Sequence, residues 1–222
     1  MDHVVAADPA FHASDVAFER ALLLSRAGRF ADAASAYEHA ISLSLDTRET
    51  PIARSNLAEM EMLAGRLETA VTHYERALAL AQDPRAQLLA KWGLAVALDR
   101  SDEHERALEH VRRAVEAEAG AMGVLRSDGV FFEPAHEVHY YEALGLEALA
   151  EKAGADRKRT LAVASAAWRA FLAGACQRGA FTDTARRNLE RIERMLAAHE
   201  RTETRARRHR TQRPRTTADT LP

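Results

Sequence analysis

Apolar residues recur along this chain at helical rather than strand spacing. Phe18, Ala21, Leu22 and Ser25 share one face of a 3.6-residue period, and so do Ala33, Tyr37, Ala40 and Ile41. Between the two runs, Ala27-Gly28-Arg29 reads as a tight turn whose glycine suits a left-handed helix end. A second pair follows. Pro51 opens it, as proline can in a first helical turn, and Leu57, Ala58, Met60 and Leu63 mark its first helix. Gly65 turns the chain, and Val71, Tyr74, Ala77 and Leu78 mark the return. Asp83-Pro84 breaks that helix, and a third pair starts near Arg85, with Leu88, Leu89, Trp92, Ala95 and Val96, then Ala107, Leu108, Val111 and Ala114.

The three pairs repeat one another. Gly28-Arg29-Phe30-x-x-Ala33-x-x-x-Tyr37-x-x-Ala40 returns as Gly65-Arg66-Leu67-x-x-Ala70-x-x-x-Tyr74-x-x-Ala77. It returns again, worn, as Asp102-x-His104-x-x-Ala107-x-x-x-Val111-x-x-Ala114, so the alanines at 33, 70 and 107 step by 37. A period of this length implies stacked helix pairs that share a continuous core. After Gly120 the rhythm fails, and residues 122–135 read as an insertion loop. A divergent fourth pair is expected near Glu137–Lys152 and Arg159–Leu172. From Thr182 or Asp183 a last amphipathic helix with Leu189, Ile192, Met195 and Leu196 on one side reads as a cap. Residues 1–13 read as a leader, ending near Ser14 or Asp15. Residues 200–222 lose their apolar residues and read as a disordered, Arg-rich tail.

Composition agrees with an all-helical chain. Of 222 residues 47% are apolar, yet only 6% are aromatic, and ten Gly and six Pro leave long runs of good helix formers. The net charge of −2 hides an asymmetry. Arg205, Arg207, Arg208 and Arg210 crowd the tail, which is where nucleic acid or an acidic partner would bind. The tail has no aromatic residue for base stacking. Cys176 stands alone, which excludes a disulfide framework and a cysteine-rich metal site. No apolar run approaches a membrane span, and the start lacks a signal-peptide pattern, so a cytoplasmic location is expected.

The repeated residues resemble the tetratricopeptide repeat. The turn glycine, the large residue after it and the Ala–aromatic–Ala run match Gly28, Phe30, Ala33, Tyr37 and Ala40, and then Gly65, Leu67, Ala70, Tyr74 and Ala77. The small residue of the family's first helix matches Ala21, Ala58 and Ala95. The resemblance covers residues 14–121 well and 136–199 loosely. The period is a few residues longer than usual, and the third repeat lacks the turn glycine. The resemblance implies a right-handed superhelical solenoid of antiparallel helix pairs, with about three regular units, one divergent pair and a capping helix. It also implies a concave groove, lined by the first helix of each pair, that binds a protein segment.

Repeat register nominates the groove residues. They are Asp15, Phe18, Leu22 and Ser25 in the first unit, Ile52, Ser55, Glu59 and Met62 in the second, and Leu89, Trp92, Val96 and Asp99 in the third. The set is apolar with scattered acids. One subclass of the family clamps a terminal carboxylate with Lys, Asn and Arg. Only Asn56 matches that clamp, while Phe18, Leu22, Leu89 and Gly93 stand where its other polar residues would be. Carboxylate-clamp binding is therefore excluded, and an amphipathic helix or an extended apolar segment fits better. Phe131 and Phe132 form either a docking patch or a plug over the gap between the third and fourth pairs.

Chemistry is sparse. His136 and His139 with Glu142 share helical spacing, but the zinc-protease pattern of His at i and i+4 is absent. No cofactor, metal or small-molecule substrate is expected, and nothing resembles a phosphate loop or a catalytic triad. The chain reads as a non-catalytic protein-interaction scaffold. The alternatives are a nucleic-acid-associated or acidic-partner-binding protein acting through its tail, and an accessory subunit of a larger complex.

Overall fold

A computed structural model describes residues 9–43, 50–117, 120–128, 130, 132–175, 179 and 181–211. Among the described residues nine α-helices follow one another as antiparallel pairs. They are α1 (Pro9–Arg26) with α2 (Phe30–Leu43), α3 (Thr50–Leu63) with α4 (Leu67–Leu80), and α5 (Pro84–Arg100) with α6 (His104–Ala117). The fourth pair is α7 (Glu137–Ala150) with α8 (Arg157–Gly174), and α9 (Thr182–Thr211) closes the array. Each helix packs on the next, and α5 also touches α3 and α7, which sets first helices side by side.

The repeated alanines are fully buried between packed helices. Ala21, Ala58 and Ala95 in the first helices, and Ala33, Ala70 and Ala107 in the second, all have 0% exposure. A side chain this small lets two helix backbones come near, and larger neighbours fill the rest. Tyr37 packs edge-on against Phe18 with ring centres 5.3 Å apart. The turns repeat as well. Gly28 and Gly65 have φ of +70° and +83°. In the third pair Asp102 takes the same left-handed conformation, with φ of 63°. Asp is one of the few residues that tolerate this region, so the worn repeat keeps its turn without the glycine.

Two boundaries differ from the sequence reading. α1 starts at Pro9, inside the expected leader, because proline suits a first helical position. Ser14 is then not a cap; its hydroxyl donates to the Ala40 carbonyl at 3.1 Å and ties α1 to α2. At the other end, α9 does not stop near Glu200 but continues to Thr211, so the disordered tail expected from 200 is corrected over 200–211. Lys158 at the start of α8 pairs with Glu203 at 2.9 Å and lies 4.0 Å from Glu200, which lays this extension along α8. Arg, Glu and Ala are good helix formers, so loss of apolar residues does not by itself end a helix.

The expected insertion loop is folded onto the array. A 3₁₀ turn at Gly123–Arg126 buries Leu125, and the Trp92 indole donates to the Ala121 carbonyl at 3.2 Å. Arg85 donates to Ser127 Oγ at 3.1 Å and to the Asp128 carbonyl. A Cβ at Gly145 would lie 2.3 Å from Met122 Sδ and 2.6 Å from the Trp92 ring, so the glycine makes room for this packing. Phe132 meets Tyr141 of α7 with ring centres 4.9 Å apart. Phe131, Cys176, residues 212–222 and the side chains of Arg207, Arg208 and Arg210 lie outside the described residues; Arg205 is exposed on α9.

Candidate partner groove

A groove of about 330 Å³ runs across α1, α3 and α5 and ends against the connection that precedes α7. Eight of the residues nominated by repeat register line it: Phe18, Leu22, Ser25, Ile52, Ser55, Glu59, Leu89 and Trp92. Ile52 is 51% exposed and stands at its lip. Asp15 is exposed and borders a neighbouring depression between α1 and the start of α3, shared with Phe18 and Ile52.

Four nominations shift inward. Met62, Val96 and Asp99 have 0% exposure, so none presents a surface to a partner. Trp92 is 1% exposed and supports the groove floor with its ring while its indole is tied to Ala121. The reason is coverage. α5 is flanked by α3 and α7, and every residue from Trp92 to Arg100 is buried. Helical spacing gives the direction of a side chain but not how far the neighbouring helix extends over it.

The floor comes largely from residues outside the nominated set. Tyr37 of α2, Tyr74 of α4 and Tyr141 of α7 all reach the groove. Tyr74 passes over Gly93, where a Cβ would lie 2.1 Å from its ring, and lines the groove together with Tyr141. Tyr37 and Asn56 line it as well. Burial holds all three phenols well above their ordinary range, so they act as neutral hydroxyls. Their signal in the sequence was the 37-residue spacing of the first two, together with one glycine in the middle of a helix.

The groove also holds an unusual acid. Burial pushes the Glu59 carboxyl up to about 8, and the charges of Glu137 and Glu133 add to this while Arg100 opposes it. Arg100 is itself buried. It pairs with Glu137 and lies between the rings of Tyr140 at 4.4 Å and Phe181 at 4.2 Å. These ring contacts are cation–π interactions that help hold the buried guanidinium in place.

The histidines of α7 and its approach do not converge. His136 packs on Phe171 with ring centres 5.4 Å apart, while His139 pairs with Glu142 at 3.1 Å. Among the described residues no cluster of His, Cys, Asp and Glu could hold a metal ion, and no helix is long and apolar enough to cross a membrane.

Residues 49–117 match the family model of the tetratricopeptide repeat. The match spans α3 to α6, the part of the chain that carries Gly65, Ala70, Tyr74 and Ala77. A search of curated proteins finds no match. A paired-helix array, the repeated buried alanines and this match together place residues 49–117 in the tetratricopeptide repeat family.

Proposed function

We propose that this chain is a non-catalytic, cytoplasmic interaction scaffold that holds a segment of a partner protein in the groove across α1, α3 and α5. The observation that carries this reading is the groove itself. Apolar side chains from three successive units, Leu22, Ile52 and Leu89, converge on one depression with a polar floor. Tetratricopeptide repeats generally mediate protein–protein contacts. The scaffold is preorganised, because its helices are already packed, so little order is lost from this side on binding. An extended segment or one face of a helix would set apolar anchors on the walls and turn its polar residues to the rim.

The test uses surface positions rather than Trp92, whose truncation would disturb the core. Leu22→Glu and Leu89→Glu each place a charge on the groove wall without touching a fully buried site. Partners are captured from the source cell on the intact chain and compared with the two variants by quantitative proteomics. The expected result is a common partner lost by both variants while their helical content and melting temperature stay near those of the parent. A partner retained by both variants would sink the groove reading.

A further inference from the structure

The acid in the groove floor is poorly matched by the protein around it. Among the described residues no hydrogen bond or ion pair reaches the Glu59 carboxyl. The charges acting on it come from Glu137 of α7, Glu133 of the connection and Arg100 of α5, two acids against one base. That base is already engaged by Glu137 and held between two rings. Glu59 and Glu133 both line the groove, beside the rings of Phe132, Tyr74 and Tyr141. An unpaired carboxyl in a partly enclosed site is costly to keep unless something compensates it. Aromatic faces next to carboxylates are also the surroundings that favour an organic cation.

We propose that the floor around Glu59 and Glu133 is a socket for a lysine or arginine side chain of the partner segment, with apolar residues on either side of it packing on Leu22, Ile52 and Leu89. This rests on the reading of the groove as a partner site and adds its charge preference. The aliphatic stem of such a side chain would cross the apolar wall, and its charged end would reach the acids below. Binding would thus supply a positive charge beside the two acids, where Arg100 is already engaged by Glu137. Arg26 of α1 also lines the groove, so a basic residue is disfavoured beside it.

The probe is a phage-displayed library of random dodecapeptides, panned against the full chain, against Glu59→Gln and against Leu89→Glu. The expected result is a lysine or arginine at one fixed position, flanked by apolar residues, among peptides recovered on the parent. On Glu59→Gln the apolar pattern persists and the basic position loses its enrichment. Peptides that share an apolar pattern and depend on Leu89, yet carry no fixed basic residue, would overturn the socket and leave the groove standing. Recovery of nothing, or of peptides indifferent to Leu89→Glu, would remove the groove reading and the socket with it.

Calorimetry on one selected lysine peptide and its norleucine analogue gives a second readout. Replacing the lysine costs roughly tenfold in affinity on the parent and little on Glu59→Gln. The lysine peptide binds roughly tenfold more tightly at pH 8.5 than at pH 6.5, because the cation must displace a proton from Glu59. Tyr37, Tyr74 and Tyr141, which face the same acid from α2, α4 and α7, stay neutral over this range, and Arg100 stays charged. A flat pH profile for the lysine peptide would contradict the socket.

Discussion

His104 Nδ1 lies 2.5 Å from Asp99 Oδ1, across the turn that joins α5 to α6. Asp99 is fully buried, and its other oxygen accepts from the Tyr140 hydroxyl at 2.5 Å and from Asn188 Nδ2 at 2.8 Å. The far nitrogen of His104 is 3.5 Å from Glu147, which also accepts from the Trp168 indole at 2.6 Å and pairs with Arg191. One polar network therefore joins five helices, from α5 to α9, around an otherwise apolar core.

The network makes stability depend on pH. Burial alone would pull His104 down, but its contacts with Asp99 and Glu147 outweigh that and raise it from 6.5 to about 9. A raised histidine contributes stability that is fully present below its unfolded value and is lost as pH rises through its folded value. The melting temperature should therefore fall between pH 6.5 and 9. In His104→Gln it should be lower at pH 6.5 and its decline over this window flatter, as read by thermal melts in buffers of matched ionic strength. An equal slope in parent and variant would contradict the assignment.

Asp99 is the hub of this network. Asp99→Ala leaves Tyr140, Asn188 and His104 without their shared acceptor in a buried site. A loss of about 3–5 kcal/mol in urea unfolding is expected. Hydrogen exchange should rise first in α9, because Asn188 ties that helix to α5. Protection of α9 equal to the parent's would show that its apolar face alone holds it.

Glu59 acts in the opposite sense. Its carboxyl is raised from 4.5 to about 8, so the folded state disfavours the ionised form. The cost is absent below about pH 4.5, grows as the unfolded chain ionises, and is complete once the pH passes about 8. Glu59→Gln should thus stabilise the chain at pH 8 by about 2 kcal/mol, and hardly at all at pH 4.5. Denaturant titrations at the two pH values check this. A stabilising change at a groove residue is what a site that trades stability for binding would show.

Gly93 and Tyr74 are coupled by space. A Cβ at 93 would meet the Tyr74 ring at 2.1 and 2.2 Å, so Gly93→Ala must push the ring out of the groove floor. A cost of about 1–3 kcal/mol is expected from this overpacking. In Tyr74→Ala the same glycine substitution should cost far less, because the ring is gone, and a double-mutant cycle by chemical denaturation measures the difference. Additive effects would mean that the two residues do not meet.

The turn at Asp102 gives a further check on the third repeat. With φ of 63°, Asp102→Ala should cost about 1 kcal/mol, since alanine loses both tolerance of the left-handed region and the pairing with Arg187 of α9. Asp102→Gly should lie close to the parent, because better backbone freedom offsets the lost ion pair. Thermal melts of both variants separate the two contributions.

Repetition makes the pairing of helices legible in the sequence. Buried alanines, turn glycines and interior tyrosines must recur wherever identical units stack, because each unit meets the same neighbour. Eight groove residues followed from the same register. Residues whose surroundings come from elsewhere in the chain were not legible. Met62 and Val96 share the helical spacing of the groove set, and only the reach of adjacent helices shows that they are covered. The burial of Arg100, the unpaired state of Glu59 and the folding of the connection onto Trp92 likewise depend on α7 and the chain before it, where the repeat has lapsed. Local pattern thus determined that this chain is an array of helix pairs with a groove-forming face. Tertiary packing alone decided which side chains remain at the surface of that groove and which charge its floor lacks, because burial and electrostatics depend on distances between residues far apart in sequence.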